Sequence, residues 1–341
     1  MRLSFTPPIT VSAFALAGLL ACHSDAVSPP SYDPAATTQL GTSSALSDLS
    51  SGGNKVLVVD DDRTDCPNAD FTSIQAAVTA ADEGSTILVC AGTYREQVTI
   101  TKHGLRLLAK GKPGDVVLDG LGAPSRFAGF FLNGGHDNLI EGFFLRNYHE
   151  GSIVLRSSNR NRIRQNTTTA ADHDGIQLNL SSNDNVVEHN VVRDNPAVNA
   201  CGINVAGGSQ RNVVRHNLAM RNEWGIQIIG PTTLDNEIFH NEVVDNRGNG
   251  IRNVFLASGT IIEGNRAFRN GLTPGFITGA FASGIRIANG AGIAVRRNHA
   301  FDNLLFDLRN DAGPGATFDN NHCRTSSPPG LCEHTEGASK D

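Results

Sequence analysis

Asp172-His173-Asp174 places two carboxyl groups and an imidazole side by side. An imidazole between carboxylates can take up or return a proton near neutral pH. Two carboxylates two residues apart on one strand face would stand ~6.5–7 Å apart, close to the acid–base separation of an inverting glycosidase. Alternatively, His173 could abstract the C5 proton of a uronic acid, with Arg252 or Arg286 neutralising the sugar carboxylate. The same carboxylates could bind Ca²⁺ through oxygen ligands. Against these stands a plainer reading. Asp and His before a glycine are common turn residues, and Asp174 could simply cap a turn.

The elements that position this triplet repeat along the chain. Short apolar strands end in Asn, as in Asn161–Asn166, Asn185–Asn190, Asn212–Asn217 and Asn236–Asn241, with looser copies ending at Asn265, Asn298 and Asn321. A second Asn follows five residues later at 195, 222, 246, 270 and 303, and then Gly-Ile at 175, 202, 225, 250 and 284. Such a period is too short for a βαβ unit. It fits coils of three short strands stacked in parallel at ~4.8 Å, with apolar residues turned into the bore. The periodic asparagines are then structural: stacked amides bond along a ladder, and Asn tolerates left-handed turns. Upstream, Phe71–Ala81 reads as an amphipathic helix, followed by strand-like runs at Gly84–Val89 and Ala91–Ile100. A helix there would cap the first coil, whose edges would otherwise be unpaired.

These repeats, with the helix and first coil, resemble the right-handed parallel β-helix repeats of the pectin-lyase-like superfamily, over roughly residues 55–323. The resemblance implies an all-β fold: a single right-handed parallel β-helix of three-strand coils with an N-terminal capping α-helix. It does not choose an activity, because this fold hosts lyases, hydrolases, esterases, epimerases and adhesins. Asp172-His173-Asp174 is similar to the Asp-Pro-His-Asp signature of alginate C5-epimerases, but lacks the proline and is one residue shorter. The Asn-Thr-Asp, Gly-His-Gly and Arg-Ile-Lys signatures of polygalacturonases are absent.

If the ladder is structural, function should show where it is interrupted. Ala171 stands at an Asn position, directly before Asp172. The preceding coil carries His149-Glu150-Gly151 at nearly the same place. The same turn is lengthened at 196–200 and at 272–283, which would raise a wall along one side. Beside it, Gln177, Asn204, Gln227, Arg252 and Arg286 would point outward, with Trp224 two coils past Asp174. Asp172, His173 and Asp174 are therefore the expected catalytic set. His149, Glu150, Gln177, Asn204, Trp224, Gln227, Arg252 and Arg286 are the expected contacts to an acidic polysaccharide in an extended polar trough. The competing function is a non-catalytic binding or adhesive surface protein.

The ends of the chain give an address. Arg2 and the apolar run Ile9–Ala21, ending Leu-Leu-Ala-Cys22, resemble a bacterial lipoprotein signal, with Cys22 lipidated. Residue 23 is His rather than Asp, which points to the outer membrane. The expected organisation is a signal over 1–21, a flexible tether over 22–53, the β-helix over 54–325 and a tail over 326–341. Cys66 and Cys90 flank the passage from helix to strand, and Cys323 and Cys332 close a short loop, so two disulfides are expected, leaving Cys201. No CxxC or clustered Cys/His spacing favours a metal site instead. Net charge is −6 with only 18 % charged residues, which argues against nucleic acid or a bulk electrostatic grip on a membrane. The expected partner is a polysaccharide, the membrane contact is the lipid alone, and the expected state is a monomer.

Overall fold

The computed structural model describes residues 55–333, apart from 196, 199 and 273–281. The signal, Cys22, the tether, two residues of the 196–200 insertion, most of the 272–283 insertion and the tail from 334 lie outside the described residues.

Among the described residues the chain winds through three parallel sheets of 11, 10 and 10 strands. Each coil contributes a strand to a first, a second and then a third sheet, and each strand pairs with its counterparts one coil away. The coil holding the triplet runs Arg162–Arg164, Thr167–Thr169, Asp174–Asn179. Inward positions stack like on like: Ile153, Ile176, Ile203, Ile226, Ile251 and Ile285 are fully buried in one column of the bore. This burial is the main favourable term for so repetitive a fold.

Asparagines line all three corners. At the second corner, the Asn190 backbone N–H donates to Asn217 Oδ1 at 3.0 Å. Asn190 Nδ2 donates to the Ile163 carbonyl at 2.9 Å and again to Asn217 Oδ1 at 3.0 Å. Each side chain thus satisfies buried backbone groups of two coils, where an orphan would cost about 1–3 kcal/mol. The expected left-handed turns are present, but one residue earlier than the asparagine. Gln165, His189, His216 and His240 have φ between 53° and 56°. The asparagine itself must aim its amide along the coil axis, so the sharp reversal falls on its neighbour.

The Gly-Ile motif has a packing cause. A Cβ on Gly202 would sit 2.6 Å from the Gly225 carbonyl oxygen and 2.7 Å from Asn222 Nδ2. The third asparagine ladder leaves no room for a side chain at that corner.

The N-terminal helix is shorter than expected, Ile74–Ala80. Phe71 bridges to Val59 instead. Ser73 caps the helix, and the Glu96 carboxylate accepts from the backbone N–H groups of Ile74 and Gln75. Ile74, Ala77 and Val78 join the core beside the first coil. Cys66–Cys90 and Cys323–Cys332 are disulfides, and Cys201 is a buried free thiol. The C-terminal boundary lies later than residue 325. Ser326–Ser327 pairs with the third sheet, and Glu333 bridges to His322.

Candidate functional site

The outer face of the third sheet begins where the third corner ends. Strand register sets Gly151 opposite Asp174, Ile176 opposite Ile203, and Cys201 opposite Trp224. His149 and Glu150 therefore lie one coil below Asp172 and His173, which settles the one-residue ambiguity left by the sequence. The Ala171 backbone N–H takes up the ladder through Asn195 Oδ1 at 2.8 Å, so the coil keeps its corner without an asparagine.

Asp174 is fully buried. Its Oδ1 accepts from the Cys201 backbone N–H at 2.8 Å. Its Oδ2 accepts from Gln177 Nε2 and from Asn204 Nδ2, both at 2.9 Å. His173 Nδ1 lies 3.1 Å from the same Oδ2. The contact with Asp174 holds the His173 imidazole above its ordinary pKa, against the opposing effect of burial, and Glu150 adds in the same upward direction. His173 remains 42 % exposed. A buried carboxylate thus backs an imidazole that still reaches solvent, an arrangement that orients the ring and stabilises its protonated form.

Two expectations need correction. Asp172 and His173 precede the strand, which starts at Asp174. Asp172 turns outward and pairs with Arg126 at 3.3 Å, while Asp174 turns under the surface. The two carboxylates do not share a strand face, so the inverting-glycosidase pair is not formed. Nor do they form a Ca²⁺ site, because N–H groups already occupy both Asp174 oxygens. The acidic group that does converge among the described residues is Asp60, Asp61 and Asp62. It stands beside the first coil, where each carboxylate accepts from backbone N–H groups of its own loop or of Thr93.

The row Gln177, Asn204, Gln227, Arg252, Arg286 is in register, as the repeat implied. It is not an open trough. Gln177, Asn204 and Gln227 are 2 %, 7 % and 5 % exposed. They link to one another, Gln227 Nε2 donating to Asn204 Oδ1 at 3.1 Å. Trp224 is 1 % exposed and lies 3.7 Å beneath the Arg252 guanidinium, so it offers no stacking platform to a sugar. Burial brings the Arg252 pKa down to about 10, and Arg286 is engaged by Asp311 at 2.8 Å. Arg286 is thereby taken up by an acidic partner, while Arg252, stacked on Trp224, keeps its charge at neutral pH and acts electrostatically on Asp174 and Cys201. The buried Cys201 thiol sits between Asp174 and Arg252, and burial raises its pKa.

Further cations and aromatic rings, at positions the sequence did not single out, stand in the two coils below His173. Arg156, 28 % exposed, pairs with Glu150 at 3.3 Å and lies 4.8 Å over the half-buried Phe127 ring. Phe127 and Phe131 meet edge to face at 5.2 Å. Arg126, next to Phe127 in the chain, donates to the Asn147 carbonyl at 3.0 Å and pairs with Asp172. A second omission is Glu223, fully buried, with neither carboxyl oxygen hydrogen-bonded among the described residues. Burial pushes its pKa up to about 7, although Arg247 and Arg252 oppose the shift. The signal was available: Glu223 is an acidic residue between ladder Asn222 and the Gly225-Ile226 strand, two coils beyond His173.

A family model described as a right handed beta helix region matches residues 98–243. The chain is a right-handed parallel β-helix. No curated protein sequence matches it significantly. Among solved structures it is similar to the DFA-IIIase of Arthrobacter chlorophenolicus A6 in complex with DFA-III, with TM-score 0.54 and 14 % identity, covering 73 % of this chain and 78 % of that one. It is also similar to the Dettilon tailspike protein, with TM-score 0.51 and 14 % identity over 70 % of this chain. The β-helix spans 56 % of the tailspike chain. Pectate lyase Pel9A aligns over 83 % of both chains at TM-score 0.46 and 16 % identity. The likeness is one of fold.

Proposed function

We propose that this β-helix binds an acidic polysaccharide on the outer face of its third sheet and exchanges a proton with it at His173. The observation that carries the reading is the buried Asp174 behind a half-exposed His173, with the Glu150–Arg156 pair and the Phe127 and Phe131 rings beside it. In its neutral form, His173 takes the proton alpha to a uronate carboxylate, and Asp174 stabilises the imidazolium that results. Arg156 and Arg126, which pair with Glu150 and Asp172 on the protein, are the cations assigned to that carboxylate, each exchanging its protein partner for it. Delivery of a water proton to the opposite face, with the His173 proton lost to solvent, gives an epimer; breaking of the C4–O bond, with the leaving oxygen taking the proton back from the His173 imidazolium, gives an unsaturated uronate and a new chain end.

The test is a panel of uronate polymers incubated with the full chain. Unsaturated uronate absorbance, reducing ends and uronate composition by NMR are followed together. The expected result is turnover on at least one polymer, falling by about 10²–10⁴-fold in His173→Ala. Turnover that survives that substitution overturns the proton-transfer assignment. The second reading, a binding protein without turnover, is favoured by the rigid, buried Gln177–Asp174–Asn204 network. It predicts retained polysaccharide binding with no product of any kind.

The proposed address is the cell envelope, with the chain exported by residues 1–21, lipidated at Cys22 and held at the outer membrane by the tether. It rests on the N-terminal residues alone.

A further inference from the structure

A hollow lies at the corner between the first and second sheets, remote in the coil from His173. It has a volume of about 450 Å³ and is lined by His240, Glu263, Arg266, Phe268, Arg297 and His299, around Gly264. Its origin is a gap in a column. The left-handed residues before the second ladder run Gln165, His189, His216, His240, Gly264, Arg297. Their side chains stack where they can: His189 on His216 at 5.0 Å, and His216 on His240 at 5.4 Å. Gly264 interrupts the stack. A Cβ there would meet the His240 ring at 2.7 Å, so the imidazole leans across the space that a side chain would fill.

The charges around the gap are unequal. Glu263 is bound by two arginines, Arg296 at 2.8 Å and Arg297 at 2.6 Å. Arg266 has no carboxylate at ion-pair distance among the described residues. Glu242 is its register neighbour in the coil below, yet the guanidinium lies over the Phe268 ring instead, at 5.2 Å. Arg266 is exposed, and His299 is its register partner in the coil above. His299 in turn stacks on His322 at 4.8 Å.

We infer that this notch is a second glycan-binding site that takes one sugar unit bearing an oxyanion, a carboxylate or a sulfate ester. Arg266 supplies the unpaired cation, and its planar fork suits a two-oxygen anion. Phe268 and the faces of the imidazoles supply flat apolar walls for the sugar's C–H surfaces. The volume falls in the range of small-ligand pockets. The choice of a sugar rests on the proposed function above; the anion site does not.

The site carries its own reporter. Burial, His322 and Arg266 together hold the His299 pKa below the ordinary histidine value. An anion on Arg266 removes part of that repulsion, so occupancy raises the His299 pKa, and by linkage affinity grows as pH falls through the histidine range. Glu242 and Glu263 are the acidic groups near this pair, and neither changes on binding in this scheme.

The experiment is an NMR titration of the His240 and His299 ring resonances in the full chain. The probes are galacturonic acid, galactose 6-sulfate, neutral galactose and inorganic sulfate. One or both charged sugars are expected to shift the two rings and raise the His299 pKa, which also tells carboxylate from sulfate ester. Arg266→Gln, a surface change, should weaken that binding at least tenfold, and His173→Ala should leave it unchanged. The inference is overturned if no charged sugar shifts the rings, if galactose binds as well, or if Arg266→Gln retains full affinity. It is overturned equally if inorganic sulfate binds as tightly as the sulfated sugar. Turnover at His173 is read by product formation, so either proposal can fail while the other stands.

Discussion

Glu223→Gln should stabilise the protein, and only above a defined pH. The carboxyl is fully buried and has no hydrogen bond to lose among the described residues. Its nearest cation, Arg247, stands 3.7 Å away. Burial raises its pKa from 4.5 to about 7. Between those values the folded state holds a proton that the unfolded chain has released, so stability falls as pH rises through that window. The full shift corresponds to about 3 kcal/mol, reached above pH 7. Glutamine keeps the shape and removes the ionisation. Urea unfolding at pH 8 should therefore show the variant more stable by about 3 kcal/mol, at an unchanged dependence on urea concentration. Below pH 4.5, where both states of the wild type are protonated at this position, the difference should vanish. A variant no more stable at pH 8, or an offset that persists unchanged at pH 4, would refute the account. Arg247 and Arg252 would then be holding Glu223 as an anion more firmly than its burial opposes it.

Asp174→Asn tests the network from the other side. An amide cannot satisfy all the donors that face Asp174, so at least one buried N–H is orphaned. The loss should be about 3 kcal/mol at pH 6, with the His173 pKa falling back toward 6.5 by NMR. Because His173 is raised by its neighbour, that part of the wild-type advantage is present below about pH 6.5 and fades as pH rises through the folded value. Equal stability and an unchanged His173 titration would remove Asp174 from its buttressing role. His136 predicts acid sensitivity elsewhere. Its Nδ1 accepts from the Asn159 backbone N–H at 3.0 Å, and burial, His103 and Arg160 lower its pKa. Its contribution is therefore present above the ordinary histidine range and lost as pH falls through the folded pKa. His136→Asn, which places the amide already used at Asn159 and Asn183 in the same column, should flatten the thermal midpoint between pH 7 and pH 5. A midpoint that drops as steeply in the variant would show that the ladder bond does not depend on this ring.

Much of the architecture was written in the order of residues. The asparagine period, the Gly-Ile motif and the alternation of apolar positions are local patterns, and each coil repeats the same solution with the same neighbours. Register followed from them, so the row from Gln177 to Arg286 and the alignment of Glu150 with His173 could be anticipated to within one residue. Both disulfides were legible from their places in the coil.

Burial and pairing were not. Whether Gln177 faces a trough or a sealed network depends on what covers it, and no spacing rule contains that information. Asp172 and Asp174 are equivalent in sequence, yet one meets Arg126 from two coils below and the other meets Asn204 from the coil above. Glu223 looked like any acidic turn residue until its neighbours excluded water from it. By itself, the sequence determined a coil and its repeat, because stacking needs only neighbours a fixed distance along the chain. The tertiary structure alone decided which of the outward groups keep contact with solvent. That is set by the dielectric and the partners around each side chain, contributed by residues tens of positions away.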